Sequence, residues 1–179
     1  MEKIEFDSGC LDAESLGAYC REQQEDKLAV QKLLYYAQWF CYREYNVPLF
    51  KDQIEAWKYG PVVPIVWKNF DILNDPTKDP EIQNLFDALR QSLIQRGGPL
   101  IDLVHNSPPW TSVYVAGANK PINLEKDANI TIEEEEMFKN CLKFLDSKRQ
   151  QKISNLGAIP KSFLENPRKW KLSIDNGII

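Results

Sequence analysis

A chain of 179 residues, 43% hydrophobic and 27% charged, has the make-up of a soluble globular protein. At that length it buries roughly 70% of its unfolded surface, so a core holds without disulfides or metal. No apolar run approaches the roughly 20 residues of a membrane span, and the acidic start MEKIEFDSGC suits neither a signal nor a transit peptide, so the expectation is cytoplasmic with no membrane contact. The net charge of −4 is unevenly spread: Glu2, Glu5, Asp7, Asp12, Glu14, Glu22, Glu25 and Asp26 face only Lys3 and Arg21 at one end, whereas 139–174 is strongly basic. Such a basic stretch fits a phosphate backbone, an acidic protein surface or an ordinary solvated helix.

In chain order, a helix over about 13–24 would bury Leu16, Tyr19 and Cys20. Asp26 then has the residue type and place of an N-cap. Behind it Val30, Leu33, Leu34, Ala37, Phe40 and Cys41 recur at helical spacing up to about Tyr45, which predicts the central helix. From Pro48-Leu49-Phe50 to Pro64 the helical period is lost. Ile54, Ala56 and Lys58 alternate with Glu55, Trp57 and Tyr59, a pattern of short strand around 53–59. Gly60-Pro61 predicts a sharp turn, because glycine reaches backbone angles that others avoid and proline restricts its predecessor. Pro64 would open a helix carrying Ile65, Trp67 and Phe70. Asp79-Pro80 marks another start, followed by Ile82, Leu85, Phe86, Leu89 and Leu93 up to the stop at Gly97-Gly98. Pro99 opens a short helix through Leu103-Val104. Thr131 and Glu134 form a capping box for a last helix whose inner side is Met137, Phe138, Cys141, Leu142 and Leu145. Beyond Asp146, Gly157, Pro160 and Pro167 break the pattern, and Trp170 to Ile174 alternates as an edge strand does.

Chemistry-bearing motifs are sparse. One histidine, His105, permits neither HExxH nor a multi-histidine metal centre. The glycines fit neither a dinucleotide fingerprint nor a P-loop, so no cofactor and no metal is expected. Cys10, Cys20, Cys41 and Cys141 form no CxxC pair and read as packing residues in a reducing compartment. A nucleophile pairing of His105 with Cys41 or Cys141 stays open, although both cysteines fall on apolar helix faces where burial makes them inert. The run Glu133 to Glu136 suits the positive end of a helix dipole better than paired catalytic carboxylates.

The strings Gln31-Lys32-Leu33-Leu34-Tyr35-Tyr36-Ala37-Gln38, Pro48-Leu49-Phe50 and Ile54-Glu55-Ala56-Trp57-Lys58-Tyr59-Gly60-Pro61-Val62-Val63-Pro64 together resemble the Panacea domain of SocA-like antitoxins and GepA-type phage-associated proteins. Leu100 to His105, Pro109-Trp110 and the late helix follow in the family's order, and the resemblance covers about 12–145. Where the family often reads His-x-Glu-x-Pro-Trp, this chain has His105-Asn106-Ser107-Pro108-Pro109-Trp110, with no carboxylate. The resemblance implies an antitoxin that neutralises a cognate toxin protein by direct contact, in one branch as an adaptor to a cellular protease. It implies no catalytic site.

The expected architecture is mainly α, a single compact helical domain over 12–146 with a small β element around 53–59, and an irregular basic extension over 147–179 packed on or beside it. The expected partner-binding residues are Trp57, Tyr59, Gly60, Pro61, Val62, Trp67, His105 and Trp110. Trp57 and Tyr59 share one side of an extended segment, where core and interface both remain open. Gly60 and Pro61 read as shapers of the backbone. His105 and Trp110 read as a structural contact, with a hydrogen-bonded imidazole and an indole packed on the 59–64 turn. Two other classes remain, a nucleic-acid-binding regulator using 139–174 and an enzyme centred on His105.

Overall fold

Local capping chemistry marks where the helices begin. In the computed structural model, which describes residues 11–124 and 128–155, Asp12 accepts from the Glu14 amide at 3.0 Å ahead of α1 (Ala13–Glu22). Asp26 accepts from the Ala29 amide at 2.8 Å ahead of α2 (Lys27–Tyr45). Asp79 accepts from the Glu81 amide at 2.9 Å, and Pro80 occupies the first position of the next long helix, Pro80–Arg96. Each carboxylate satisfies an amide that has no partner within its own helix.

α2 ends at Asn46, whose left-handed φ of 59° turns the chain away. The chain then runs extended into a hairpin of β1 (Glu55–Trp57) and β2 (Gly60–Val62), paired antiparallel with Trp57 opposite Gly60 and Glu55 opposite Val62. The strand expected over 53–59 is therefore shorter, and the reversal falls on Lys58-Tyr59 instead of Gly60-Pro61. Neither turn residue has a positive φ; Gly60 does, at 101°, and closes the turn as a glycine in the left-handed region. A Cβ there would lie 2.8 Å from Lys32 Nζ and 2.9 Å from Val104 Cγ2, so a side chain would have to push these groups aside.

Pro64 opens α3 (Pro64–Asn69), which runs into a 3-10 turn at Phe70–Ile72. Then come α4 (Pro80–Arg96), stopped by Gly97 at φ 70°, α5 (Leu100–His105) and the four-residue α6 (Pro108–Thr111). β3 (Lys120–Pro121) adds to β1, giving the order β2-β1-β3. α6 and β3 are too short to show a period in sequence. α7 (Ile132–Asn155) begins at the expected box, with the Glu134 amide donating to Thr131 Oγ1 at 3.1 Å and the Thr131 amide donating to Glu134 Oε2 at 3.0 Å.

The core forms around α2. The apolar spacing predicts one buried stripe, yet every residue from Val30 to Cys41 is buried. Tyr35, Tyr36, Trp39, Phe40 and Phe138 stack edge to face and in parallel, with ring centres 4.9–6.5 Å apart. Met137, Cys141 and Leu145 join them as expected, while Leu142 is half-buried. The chain divides after Leu145 into a second unit, whose described residues 146–155 finish α7. The alternation at 170–174 lies outside the described residues.

Candidate functional site

Three polar side chains lie inside the core on the buried 30–41 stretch of α2. Gln38 accepts from the Leu49 and Phe50 amides at 2.7 and 3.1 Å and donates to the Phe50 carbonyl at 2.8 Å. Gln31 accepts from the Val63 amide at 2.7 Å, and Lys32 donates to the Pro61 carbonyl at 3.1 Å. These residues take the place of a neighbouring strand for Leu49, Phe50, Pro61 and Val63, whose buried backbone groups they pair. Lys32 is only 2% exposed, and burial alone pulls its amine down to about 8.

The hairpin held in this way presents its turn outward. Tyr59 is 55% exposed, and Lys58 lies with its ammonium 5.1 Å from the Tyr59 ring centre. Trp57 is half-buried against half-buried Trp67 at 5.9 Å, and Lys27 lies 4.5 Å from the centre of the Trp67 ring. Glu55 accepts from Trp57 Nε1 at 2.8 Å and fixes the indole's direction. Gly60, Pro61 and Val62 are buried. Thus the string is split: 57–59 faces outward in whole or part, and 60–62 packs inward.

Beside the hairpin, Trp110 is stacked between His105 at 4.8 Å and Tyr114 at 4.4 Å, and its Nε1 donates to the Trp57 carbonyl at 3.1 Å. The indole thus braces the base of the turn, with its bond at Trp57. The imidazole is held by stacking, and its Nε2 is buried without a hydrogen-bond partner among the described residues, contrary to the expected hydrogen bond. Ser107, in the segment between His105 and Trp110, is buried with its hydroxyl 2.6 Å from that of Tyr35. A neutral hydroxyl pair suits that interior position. Trp67 reaches the site from α3, so the structure brings all eight expected residues into the hairpin and its supports.

Sequence reading missed Lys27, Lys58, Lys32, Gln31 and Tyr114. The signal for Lys32 and Gln31 was there, two polar residues within an otherwise apolar helical string before a proline-rich segment. It also missed that Glu134 is buried and accepts from the Tyr36 hydroxyl at 3.1 Å in addition to its capping bonds. Burial, then the Glu134 carboxylate, raise the Tyr36 phenol. The other chemistry-bearing groups are committed internally. Burial pushes the Cys20 thiol up to about 12 and those of Cys41 and Cys141 higher still, which disfavours the thiolate that a nucleophile needs. Among the described residues no group of histidine, cysteine and carboxylate side chains could hold a metal ion, and no helix is long and apolar enough to cross a membrane. In the basic stretch, Lys139 pairs with Glu135 at 3.0 Å and Arg149 with Asp146 at 3.6 Å. From residue 156 it lies outside the described residues.

Fold and site together define a mainly helical protein in which, among the described residues, a small three-stranded sheet carries an aromatic and cationic turn. The chain belongs to the antitoxin SocA-like family of the Panacea domain, whose description matches residues 30–158. No curated protein and no solved structure matches it.

Proposed function

We propose that this protein is the antitoxin of a toxin–antitoxin system and neutralises a cognate toxin by direct protein–protein contact, with residues 12–146 as the binding domain. The family membership gives the class of function. The observation that carries the mode of action is the hairpin tip, where Trp57, Lys58 and Tyr59 project from a backbone whose polar groups are anchored by α2 and Trp110. Large rings on a preorganised turn give contact area at little entropic cost, the property of interface anchors. Gly60, Pro61, Val62, His105 and Trp110 shape and brace that turn. This is the work of a binding surface, which needs neither cofactor nor metal.

The test is co-expression with the reading frame adjoining this one. The neighbour's product alone is expected to arrest growth and this protein alone to be harmless. The pair should grow and co-purify. A harmless neighbour, or one that stays equally toxic when this protein is abundant, overturns the reading. The half-life of the bound toxin separates the two modes of neutralisation: an unchanged half-life means blocking, and a shortened one means delivery to a protease.

A further inference from the structure

The chemistry of the hairpin tip deepens the antitoxin reading and depends on it, because it tells what kind of surface the toxin must offer. Addition of a strand from the partner is disfavoured at both sheet edges. On β2 the outward Pro61 carbonyl and the following Val63 amide are already taken by Lys32 and Gln31. β3 is two residues long, and its Pro121 has no N–H to donate. Recognition therefore runs through side chains.

Two lysines among those side chains rest on aromatic rings. Lys27 lies over Trp67 at 4.5 Å and within 5.8 Å of the Phe70 ring, and Lys58 lies over Tyr59 at 5.1 Å. Neither lysine joins an ion pair among the described residues, although the whole chain carries a net charge of −4. An ammonium resting on a ring face has already given up part of its water, so covering it costs less than covering a free lysine. A carboxylate arriving from outside would complete each pair in a partly desolvated setting, where the attraction is stronger than in water. We infer that the hairpin tip is a docking surface for an acidic protein segment of the toxin, with Lys27 and Lys58 receiving carboxylates and the uncovered part of the Trp57–Trp67 pair receiving an apolar side chain against it.

Rings and lysines also suit single-stranded nucleic acid, in which bases stack on aromatic faces. A protein partner is favoured because Glu55 sits on the Trp57 indole nitrogen and Asp26 caps the helix beside Lys27. Two carboxylates next to two lysines oppose a continuous phosphate backbone, whereas a protein can place its acids one by one.

The experiment measures the affinity of the purified full chain for the adjoining frame's product at about 50 and about 300 mM salt. It compares wild type, Lys27→Glu/Lys58→Glu and the milder Lys58→Gln. A labelled oligothymidylate of about 20 nucleotides is the competing probe. The double reversal should weaken binding at least about ten-fold at low salt and flatten the salt dependence, and Lys58→Gln should move both the same way by less. Unchanged melting of the variants would show that folding is not the cause. Equal, salt-insensitive binding by wild type and both variants removes the acidic docking surface and leaves the antitoxin reading standing. Absence of wild-type binding to a toxin that arrests growth removes both. Wild-type binding of the oligothymidylate in competition with the toxin, lost in the double reversal, assigns the surface to nucleic acid instead.

Discussion

The two ends of the β1–β2 hairpin differ in how far their groups are already spoken for. At its base, Gln31, Lys32 and Gln38 reach from α2 and hold backbone groups of Phe50, Pro61 and Val63 at 2.7–3.1 Å. At its tip, Lys58 and Tyr59 touch one another and otherwise face outward. The contrast separates two uses of polar and aromatic residues within one short stretch. Inside, each of these three side chains answers a nearby backbone group, so losing that bond costs folding energy. Outside, the groups are held in place without being used, so losing them should cost binding alone. Substitutions along the hairpin test whether the division is as sharp as the geometry draws it.

The largest effect is expected at the base. Gln38→Leu keeps side-chain bulk but strands two buried amides and a carbonyl. Each orphaned group costs about 1–3 kcal/mol, so the total loss of folding stability should be on the order of 4 kcal/mol. Denaturant unfolding measures it. A loss below about 1 kcal/mol would mean that the 48–63 segment finds other partners and that the base is not committed in this way.

Lys32 gives a smaller effect with a pH signature. Its amine titrates near 8 in the fold, against the 10.5 of a free lysine. Below about 8 both folded and unfolded chains carry the proton, and folding bears the full cost of a buried ammonium. Between the two values the unfolded chain binds more protons, so stability from this group rises with pH, by on the order of 3 kcal/mol across the window. Buried tyrosines and cysteines, whose values are raised, act oppositely above about 9 because they ionise only on unfolding. They are present in wild type and in Lys32→Met alike. The difference between the two proteins in unfolding free energy should therefore move in favour of wild type from pH 8 to 10. A flat difference would place the Lys32 amine in contact with solvent.

How much of this division could be read from the sequence depends on the range over which the signals act. Capping is local, and Asp26, Asp79 and the Thr131–Glu134 box stand where the residue types place them, with Asp12 capping α1 in the same way although the sequence reading did not single it out. The string from Trp57 to Trp67 stands out in the sequence, yet which of its residues face outward depends on the turn falling at Lys58-Tyr59, a matter of Gly60's φ and of the space left by Lys32 and Val104. Period-2 alternation puts Trp57 and Tyr59 on one side. The turn ends that alternation, leaving Trp57 half-buried against Trp67 and Tyr59 exposed. The inward role of Gln31, Lys32 and Gln38 joins residues 11 to 32 positions apart, and no local pattern encodes which loop a helix will hold. Glu134 shows the same limit. Its capping role is visible from its neighbours, and its bond to Tyr36, 98 residues away, is not.

Tyr59→Ala should have the smallest effect on folding and bears most directly on the tip. At 55% exposure the ring buries only part of its area, and among the described residues the Lys58 ammonium lies 5.1 Å from its centre. Removing it should change unfolding free energy by no more than about 0.5 kcal/mol, the range of surface substitutions that touch no special feature. Were the ring a core element, truncation would cost about 3–5 kcal/mol. In toxin binding the order reverses. An aromatic anchor at the centre of an interface is worth about 2 kcal/mol or more, roughly a thirty-fold loss in affinity. Measuring melting and affinity on one purified variant decides the matter. A folded Tyr59→Ala protein with unchanged toxin affinity would remove the ring from the docking surface and leave the tip to Trp57 and the lysines. A destabilised one would show that the hairpin's two ends are not separate after all, because the exposed turn would then be contributing to the fold through its own packing.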